Sequence, residues 1–205
     1  MATNASTRSQ ALLFAQNFLK HPRMIGSLIP SSRRLIDRIL SKVDWSRARV
    51  IVEYGPGVGT ITREILGRMR PDAMLLAIEM NEDFAEYLKH NLRDPRLRVV
   101  RGSAADAREL LLGFGFEAAD YVISGIPYTT MPDHVREQIL VATRNLLAPG
   151  GSFLVYQFTR SVLPHLESTF DRVHRDFEPL NILPAQLFDC RGDEPLLTVP
   201  DSQCD

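Results

Sequence analysis

Two hydrophobic patterns alternate along the chain from residue 49 onward. Short apolar runs that end in glycine or polar residues are typical of buried parallel strands, and apolar residues three or four positions apart are typical of amphipathic helices. The runs predict strands over residues 50–55, 73–79, 97–102, 119–125 and 152–158. The spaced residues predict helices over residues 59–69, 81–92, 105–112, 132–151 and 161–169.

Local signals refine this alternation and complete the sheet. Asn81 can cap the second helix, and the Pro-Gly-Gly that ends at residue 151 is typical of a helix stop. The segments FDRVHRDFEP (170–179) and PAQLFDCR (184–191) alternate polar and apolar residues like an antiparallel pair at a sheet edge. The sequence therefore predicts an α/β fold, a doubly wound Rossmann-like sheet of seven strands that is mostly parallel with an antiparallel edge.

The chain before residue 49 has a different character. Residues 9–20 place apolar side chains on one face of a predicted amphipathic helix, and Ser31 or Ser32 can cap the helix that follows. Residues 1–49 hold nine Lys and Arg against two Asp, a net charge of +7, and because the whole chain carries −1 the remainder carries −8. We expect three parts: an N-terminal helical arm (1–48) that serves as a membrane or cofactor lid, a sheet domain (49–192) and a frayed C-terminal tail (193–205).

The basic arm favours an anionic partner, either a membrane surface or nucleic acid. An amphipathic helix can lie in a bilayer interface with its basic residues near anionic headgroups. The alternatives are a helix packed on the protein's own sheet and charges that pair with the protein's own acids. The residues predicted to contact a membrane or a lipid phosphate are Phe18, Lys20, Arg23, Arg33, Arg34 and Arg160.

Composition restricts the class of protein. The apolar fraction of 44% and the charged fraction of 24% are ordinary for a globular domain, and no run approaches the roughly 18 apolar residues of a membrane span. The first residues lack the features of a secretion signal. With two cysteines, Cys190 and Cys204, the chain fits a reduced cytoplasmic compartment and predicts neither a metal site nor a disulfide framework.

A glycine-rich turn follows the first predicted strand, in EYGPGVGT (53–60). Glycines let the backbone turn tightly and approach a ligand, although this spacing is one residue tighter than the dinucleotide fingerprint. Glu79 ends the second predicted strand about 20 residues later, where an acid accepts hydrogen bonds from ribose hydroxyls. The alternatives are that the glycine-rich turn binds no ligand, that Glu79 is a solvated acid at the end of its strand, and that the site binds NAD.

These features resemble those of class I S-adenosylmethionine-dependent methyltransferases over residues 49 to about 192. The resemblance implies S-adenosyl-L-methionine as the cofactor. Ser103 stands at a position where members of that family often carry Asp, so the resemblance implies that backbone groups or Asp106 would contact the adenine. The residues that the resemblance and the predicted edge of the sheet assign to the cofactor are Glu53, Gly55, Gly57, Gly59, Thr60, Glu79, Met80, Gly102, Ser103, Ala104 and Ser124.

The substrate class is indicated by SGIPYTTMP (124–132). Ribosomal RNA adenine dimethyltransferases carry Asn before a similar Leu-Pro-Tyr, whereas this chain has Gly125. The stretch is similar to that of bacterial phospholipid N-methyltransferases, as are FLKHPRMIGSLIPSSRRL (18–35) and PLNILPAQLF (179–188). The resemblance thus implies transfer to a phospholipid amine.

Three residues are the candidates for catalysis. Tyr128 is predicted to line the methyl and amine channel through its ring face and hydroxyl, and the Ile126 carbonyl to accept an amine hydrogen. His134 is a further candidate base, because a primary amine with a pKa of about 10 must lose a proton before it attacks. The alternatives are a packing role for Tyr128 and exposed, structural roles for His134 and Arg160.

The hypothesis from the sequence is a peripheral enzyme at the cytoplasmic face of the membrane. It would methylate a phospholipid headgroup amine, phosphatidylethanolamine towards phosphatidylcholine, and need neither nucleic acid nor metal. The alternatives are an RNA adenine N6-methyltransferase and a membrane-associated S-adenosylmethionine-binding protein without catalysis.

Overall fold

The strands form one seven-stranded sheet in a computed structural model, which describes residues 32–181 and 183–192. The order is β3-β2-β1-β4-β5-β7-β6; the first five strands are parallel, and β7 runs antiparallel to both β5 and β6. The predicted fold class is confirmed. The strands are β1 Val50–Tyr54, β2 Met74–Glu79, β3 Leu97–Arg101, β4 Ala119–Ser124, β5 Leu147–Gln157, β6 Arg172–Glu178 and β7 Ala185–Arg191.

Six α-helices lie within the described residues, and two of them begin at predicted caps. Ser32 Oγ accepts a hydrogen bond from the Leu35 N–H at 3.2 Å, and Asn81 Oδ1 accepts one from the Phe84 N–H at 3.1 Å. Each bond satisfies an N–H that the first helical turn leaves without a partner. The helices are α1 Arg33–Leu40, α2 Thr60–Arg68, α3 Glu82–Asn91, α4 Ala107–Leu112, α5 Asp133–Leu146 and α6 Leu163–Thr169.

The sheet separates two apolar layers. On one face Tyr54, Val122 and Phe153 pack with residues of α4, α5 and α6. On the other face Ile51 and Leu154 pack with residues of α1 and α2. Both faces of the central strands are therefore covered, which is why these strands are continuous apolar runs rather than alternating ones.

The predicted boundary between the fourth helix and the fifth strand is wrong. Helix α5 ends at Leu146 and β5 begins at Leu147, so Pro149, Gly150 and Gly151 lie within the strand rather than at a helix stop. Gly150 has a φ of +78°, and the pairing of β5 with β4 shifts register between Ala119 and Tyr121. A left-handed glycine and a proline that cannot donate are typical of an irregularity in a strand.

One edge of the sheet collects the predicted site, and we call it the carboxyl edge because β1, β2, β4 and β5 end there. The pairing of Gln157 with Gln186 brings the described part of the connection between β6 and β7, residues 179–181, 183 and 184, to the same edge. The N–H of Ser32, before α1, donates to Asn181 Oδ1 of this connection at 2.9 Å. Within the described ranges, no helix has both the length and the apolar character to cross a bilayer.

Candidate active site

The glycine-rich turn between β1 and α2 is shaped by left-handed backbone conformations. Gly55, Gly57 and Gly59 have φ angles of +67°, +56° and +77°, which favour glycine over residues with a side chain. A Cβ on Gly55 would also lie 2.6 Å from Cγ2 of Ile126, whereas a Cβ on Gly57 would meet no atom within 4 Å. The turn therefore packs tightly against the end of β4 but leaves open space beside Gly57.

Glu79 joins this turn to the start of α3. Its Oε2 accepts a hydrogen bond from the Gly57 N–H at 3.0 Å, and its Oε1 accepts one from the Asn81 N–H at 2.9 Å. The side chain is buried, and burial raises the pKa of Glu79 against the effect of these backbone N–H groups. A carboxylate has about four acceptor positions, so the two bonds leave capacity for ribose hydroxyls.

A second buried carboxylate, Glu53, lies on β1. Its Oε2 accepts a hydrogen bond from Thr62 Oγ1 of α2 at 2.7 Å. Burial raises the pKa of Glu53 to about 7; the bond from Thr62 opposes the shift, and the charge of Glu79 adds to it. Two acids thus share a buried region under the glycine turn, and a cation beside them would be stabilised.

The remaining predicted cofactor residues reach the carboxyl edge in different ways. Gly102 donates its N–H to the Glu79 carbonyl at 3.1 Å, and Met80 is 70% exposed directly beyond Glu79. Ser103 Oγ accepts a hydrogen bond from the Ala105 N–H at 3.2 Å, so this hydroxyl caps a 3-10 turn, and Ala104 is buried. Thr60 is the first residue of α2.

These residues fit S-adenosylmethionine by their chemistry. The open space at Gly57 admits a group close to the backbone, and Glu79 can accept hydrogen bonds from a ribose. The exposed apolar side chain of Met80 can cover the face of an adenine, and the carboxylates of Glu53 and Glu79 suit a ligand with positive charge. Within the described residues, no cluster of His, Cys, Asp and Glu could hold a metal ion.

The structure buries the side chains of Tyr128 and Ser124 at the end of β4. The Tyr128 hydroxyl lies 3.0 Å from Ser124 Oγ, and its ring meets Phe153 edge-on with centroids 6.3 Å apart. Both side chains are 0% exposed, and burial raises the pKa of Tyr128 well above its usual value. The arrangement supports the packing alternative for Tyr128 and gives Ser124 a partner in the interior, while the contact of Ser124 with the cofactor stays a prediction.

The carbonyl of Ile126 is already satisfied. It accepts hydrogen bonds from Gln157 Nε2 at 2.8 Å and from the Tyr128 N–H at 3.0 Å. A carbonyl oxygen has two lone pairs and both are occupied here, so the role of Ile126 as acceptor of an amine hydrogen stays a prediction. The buried Arg136 donates to the Tyr128 carbonyl at 3.2 Å, and the turn after β4 is therefore held from two sides.

Sequence reasoning missed Tyr156, whose side chain occupies the space beside Gly125. A Cβ on Gly125 would lie 2.0 Å from the Tyr156 hydroxyl oxygen and 2.3 Å from its Cζ. Gly125 does not have a positive φ, so space rather than conformation requires glycine here. The two residues are distant in the chain, but the pairing of Ser124 with Val155 makes them neighbours. Strand register was the only signal that could have found this contact.

We call the turn after β4, residues 125–128, the corner. The other predicted residues are exposed or lie outside the described part of the chain. His134 is exposed in the first turn of α5, and Arg160 is exposed with its Nε donating to Gln186 Oε1 at 3.2 Å. Arg33 and Arg34 are exposed at the start of α1. The predictions for Phe18, Lys20 and Arg23, and for the helix over residues 9–20, lie outside the described residues.

Comparisons of sequence relate the chain to two kinds of methyltransferase. The family model for ribosomal RNA adenine dimethylase matches residues 14–109. The ornithine lipid N-methyltransferase of Singulisphaera acidiphila is 36% identical over 189 residues, covering 88% of this chain and 95% of that protein. Ribosomal RNA small subunit methyltransferase A of Mycoplasma mycoides subsp. mycoides is 27% identical over 127 residues, which cover 61% of this chain and 44% of that protein.

Solved structures share the fold at low identity. A precorrin-6y C5,15-methyltransferase of Geobacter metallireducens superposes with a TM-score of 0.62 at 17% identity, over 78% of this chain and 89% of that one. A precorrin 8w decarboxylase of Methanobacterium thermoautotrophicum gives a TM-score of 0.59 at 19% identity, over 78% and 91%. These neighbours confirm the sheet architecture.

Proposed function

The chain belongs to the class I S-adenosylmethionine-dependent methyltransferases, with S-adenosylmethionine as its cofactor, and we propose that it methylates the amine of a lipid headgroup. The similarity to the ornithine lipid N-methyltransferase spans nearly the whole of that relative, whereas the similarity to the ribosomal RNA enzyme spans less than half of it. The similarity to the ornithine lipid enzyme therefore includes the corner, residues 125–128.

The observation that carries the proposal is the contact between Gly125 and Tyr156. Base-methylating enzymes that resemble this chain carry a polar side chain at the position of Gly125. Here a Cβ at that position would overlap the Tyr156 hydroxyl at 2.0 Å, so no such side chain fits. The acceptor site is therefore built around a phenol on β5, which suits a flexible amine better than a planar base that needs an amide partner.

Two finer points belong to the proposal. The acceptor is a primary amine on a phospholipid, phosphatidylethanolamine on the way to phosphatidylcholine, with the amine of an ornithine lipid as the competing headgroup. The enzyme acts at the cytoplasmic face of a membrane as a peripheral protein, and the exposed Arg33, Arg34 and Arg160 support contact with anionic lipid.

The chemistry at this corner rests on alignment. S-adenosylmethionine supplies an electrophilic methyl group when bound. Gln157 and Arg136 fix the backbone at Ile126 and Tyr128, and a fixed approach can lower the barrier by several kcal/mol, on the order of 7 at best-aligned centres. We assign to the Tyr156 hydroxyl oxygen a hydrogen bond that it accepts from an N–H of the neutral amine, which leaves the nitrogen lone pair free to attack the methyl group. The ammonium proton passes to water before the amine enters the site.

The test is transfer of labelled methyl from the cofactor to three acceptors: phosphatidylethanolamine vesicles, ornithine lipid vesicles and ribosomal RNA. Label in a lipid extract supports the proposal, and the lipid that is labelled identifies the headgroup. Label in RNA alone would favour the second candidate, an adenine N6-methyltransferase, which the match to the dimethylase model over residues 14–109 supports. Cofactor binding without transfer to any acceptor would favour a protein without catalysis.

A matched pair of variants tests the role of Tyr156. We expect Tyr156→Phe to lower transfer about fivefold with unchanged cofactor affinity, because one neutral hydrogen bond contributes about 1 kcal/mol. Tyr87→Phe, on α3 away from the corner, serves as the control and should keep full activity. Equal activity of both variants would remove Tyr156 from the mechanism but leave the lipid substrate to the labelling experiment.

A further inference from the structure

The described part of the connection between β6 and β7, which we call the β6–β7 loop (residues 179–181, 183 and 184), reverses the usual placement of polar and apolar residues. Leu180 is 63% exposed and Leu183 is 42% exposed, and the prolines at both ends of the loop are exposed as well. Asn181, in contrast, is buried. The sequence from 179 to 188 contains no charged residue. Exposed apolar residues that cluster in this way mark an interaction site more often than scattered single ones do.

Hydrogen bonds hold the loop in this conformation. Asn181 Nδ2 donates to the Leu183 carbonyl at 2.8 Å, while its Oδ1 accepts from the Ser32 N–H at 2.9 Å. The Leu180 N–H donates to Glu178 Oε1 at 2.9 Å, and Glu178 Oε2 accepts from Arg38 Nη1 at 3.2 Å. Buried polar groups thus tie the loop to α1 and direct its leucines outward.

Basic side chains lie on the elements that flank the loop. Arg33 and Arg34 are exposed directly after Ser32, the residue that is bonded to the loop. Arg160 is exposed and bonded to Gln186 on β7, two residues beyond the end of the loop. Apolar side chains bordered by cations match the layering of an anionic membrane, whose phosphates lie outside its hydrocarbon.

We propose that the β6–β7 loop inserts Leu180 and Leu183 into an anionic lipid layer while Arg33, Arg34 and Arg160 contact its phosphates. The loop lies on the carboxyl edge, beside the end of β5, so this docking brings the corner at Gly125 to the lipid surface. The inference deepens the proposed function by naming the surface through which the substrate reaches the site. It assigns this contact to described residues, independently of the amphipathic helix predicted for residues 9–20.

The experiment measures partition of the full chain between buffer and vesicles, without cofactor. The vesicles are phosphatidylglycerol mixed with phosphatidylcholine, and neither lipid carries a methylatable amine. We expect L180D/L183D to lower partition at least about tenfold, because a charge is expelled from the apolar layer. The control is L112D, at the end of α4, where Leu112 is 45% exposed and precedes the opposite edge of the sheet. It should change partition less than about twofold, as surface changes outside a contact do.

Charge gives a second readout. R33Q/R34Q should lower partition into the phosphatidylglycerol mixture and leave the weak partition into pure phosphatidylcholine unchanged, and added salt should reduce the difference. Partition of L180D/L183D equal to that of the original protein would overturn the proposal. So would a loss of melting temperature or a change of oligomeric state in L180D/L183D without vesicles, since the leucines would then cover another part of this chain or a second copy.

The two proposals fail in different ways. Vesicle binding that depends on the leucines, together with no transfer to any lipid, would refute the proposed function and leave the docking surface intact. Transfer to lipid, together with equal partition of L180D/L183D and the original protein, would refute the docking surface alone. A short-chain amine lipid, soluble as a monomer, completes the test: L180D/L183D should methylate it at the original rate, whereas its rate on vesicles falls.

Discussion

The two halves of the sheet hold their parts of the site in different ways. In the cofactor half, β1 to β3, the polar contacts join residues 2 to 22 positions apart in the chain: Glu79 bonds Asn81 and Gly57, and Glu53 bonds Thr62. In the substrate half, β4 to β7, the corner depends on contacts between separate strands, such as Gln157 with Ile126 and Tyr156 beside Gly125. Local contacts follow from a sequence motif, whereas contacts across strands depend on register. The cofactor half should therefore tolerate changes in the substrate half.

The largest effect should come from filling the space at Gly125. In Gly125→Ala the new Cβ would lie 2.0 Å from the Tyr156 hydroxyl, so the ring or the end of β4 must move. We expect methyl transfer to fall about 100-fold and the protein to lose about 1–3 kcal/mol of stability, as in other overpacked cores. Measurement of the transfer rate and of denaturant unfolding checks both, and cofactor affinity should change little.

Two further variants isolate the cause. Gly67→Ala, in α2, adds a methyl where no atom lies within 4 Å, and it should keep full activity with equal or slightly higher stability. Gly125→Ala combined with Tyr156→Ala should regain stability but not activity, because space returns while the phenol is lost. A stable, fully active Gly125→Ala would show that the two halves are not built as described.

Local patterns predicted most of the sheet but not the directions of its side chains at the corner. Apolar runs predicted the five parallel strands, alternation of polar and apolar residues predicted β6 and β7, and residue type predicted the caps at Ser32 and Asn81. These features depend on neighbours in the chain. Tyr128 was expected to face a ligand, but it lies in a 3-10 turn that directs its ring into the core. Side chains alternate between the two faces of the sheet only within a strand, and β4 ends at Ser124, so this alternation could not predict the direction of Tyr128.

The missed residues share one physical reason. Tyr156, Gln157 and Asn181 act through partners that are 31 to 149 positions away or in register with another strand. No spacing in a single sequence encodes such a pairing. The prediction that Pro-Gly-Gly stops a helix was wrong for the same reason. These residues lie in β5 at an irregularity that accompanies the shift of register against β4, and α5 has already ended before them.

The next largest effect should be confined to the cofactor half. Glu79→Gln replaces two acceptor oxygens by one, so the N–H groups of Gly57 and Asn81 cannot both keep their partner. An unsatisfied buried donor costs about 1–3 kcal/mol, and the variant should bind S-adenosylmethionine about tenfold or more weakly in calorimetry. Glu82→Gln, whose carboxylate is 65% exposed at the start of α3, is the matched control and should bind normally.

A smaller effect should separate alignment from binding. Gln157→Met removes one of the two donors to the Ile126 carbonyl and loosens the corner without touching the glycine turn. We expect kcat to fall about tenfold, the loss of roughly 1.4 kcal/mol of transition-state stabilisation, with the cofactor Kd unchanged. Gln138→Met, exposed on α5, should leave kcat unchanged. A rise in KM alone would instead assign Gln157 to lipid binding.

The smallest effect concerns the pH dependence of stability, and it belongs to the cofactor half alone. Burial raises the pKa of Glu53 from 4.5 to about 7, so the folded protein holds this proton more tightly than the unfolded chain. The free energy of unfolding should therefore decrease as the pH rises from 4.5 to 7 and stay low above that window. Gln at position 53 has no proton to lose and keeps an oxygen for Thr62 Oγ1.

Glu53→Gln should consequently match the original protein at pH 4.5 and exceed its stability at pH 8 by about 1–3 kcal/mol, since one pKa unit corresponds to about 1.4 kcal/mol. Urea unfolding at the two pH values, without cofactor, measures the difference. Glu64→Gln is the control, because that carboxylate lies on α2 with 39% of its side chain exposed and should not alter the slope. Parallel pH profiles for the original protein and Glu53→Gln would mean that Glu53 is ionised in the folded state over the whole range from pH 4.5 to 8. The surroundings of the two acids under the glycine turn would then stabilise their charges before any cation binds.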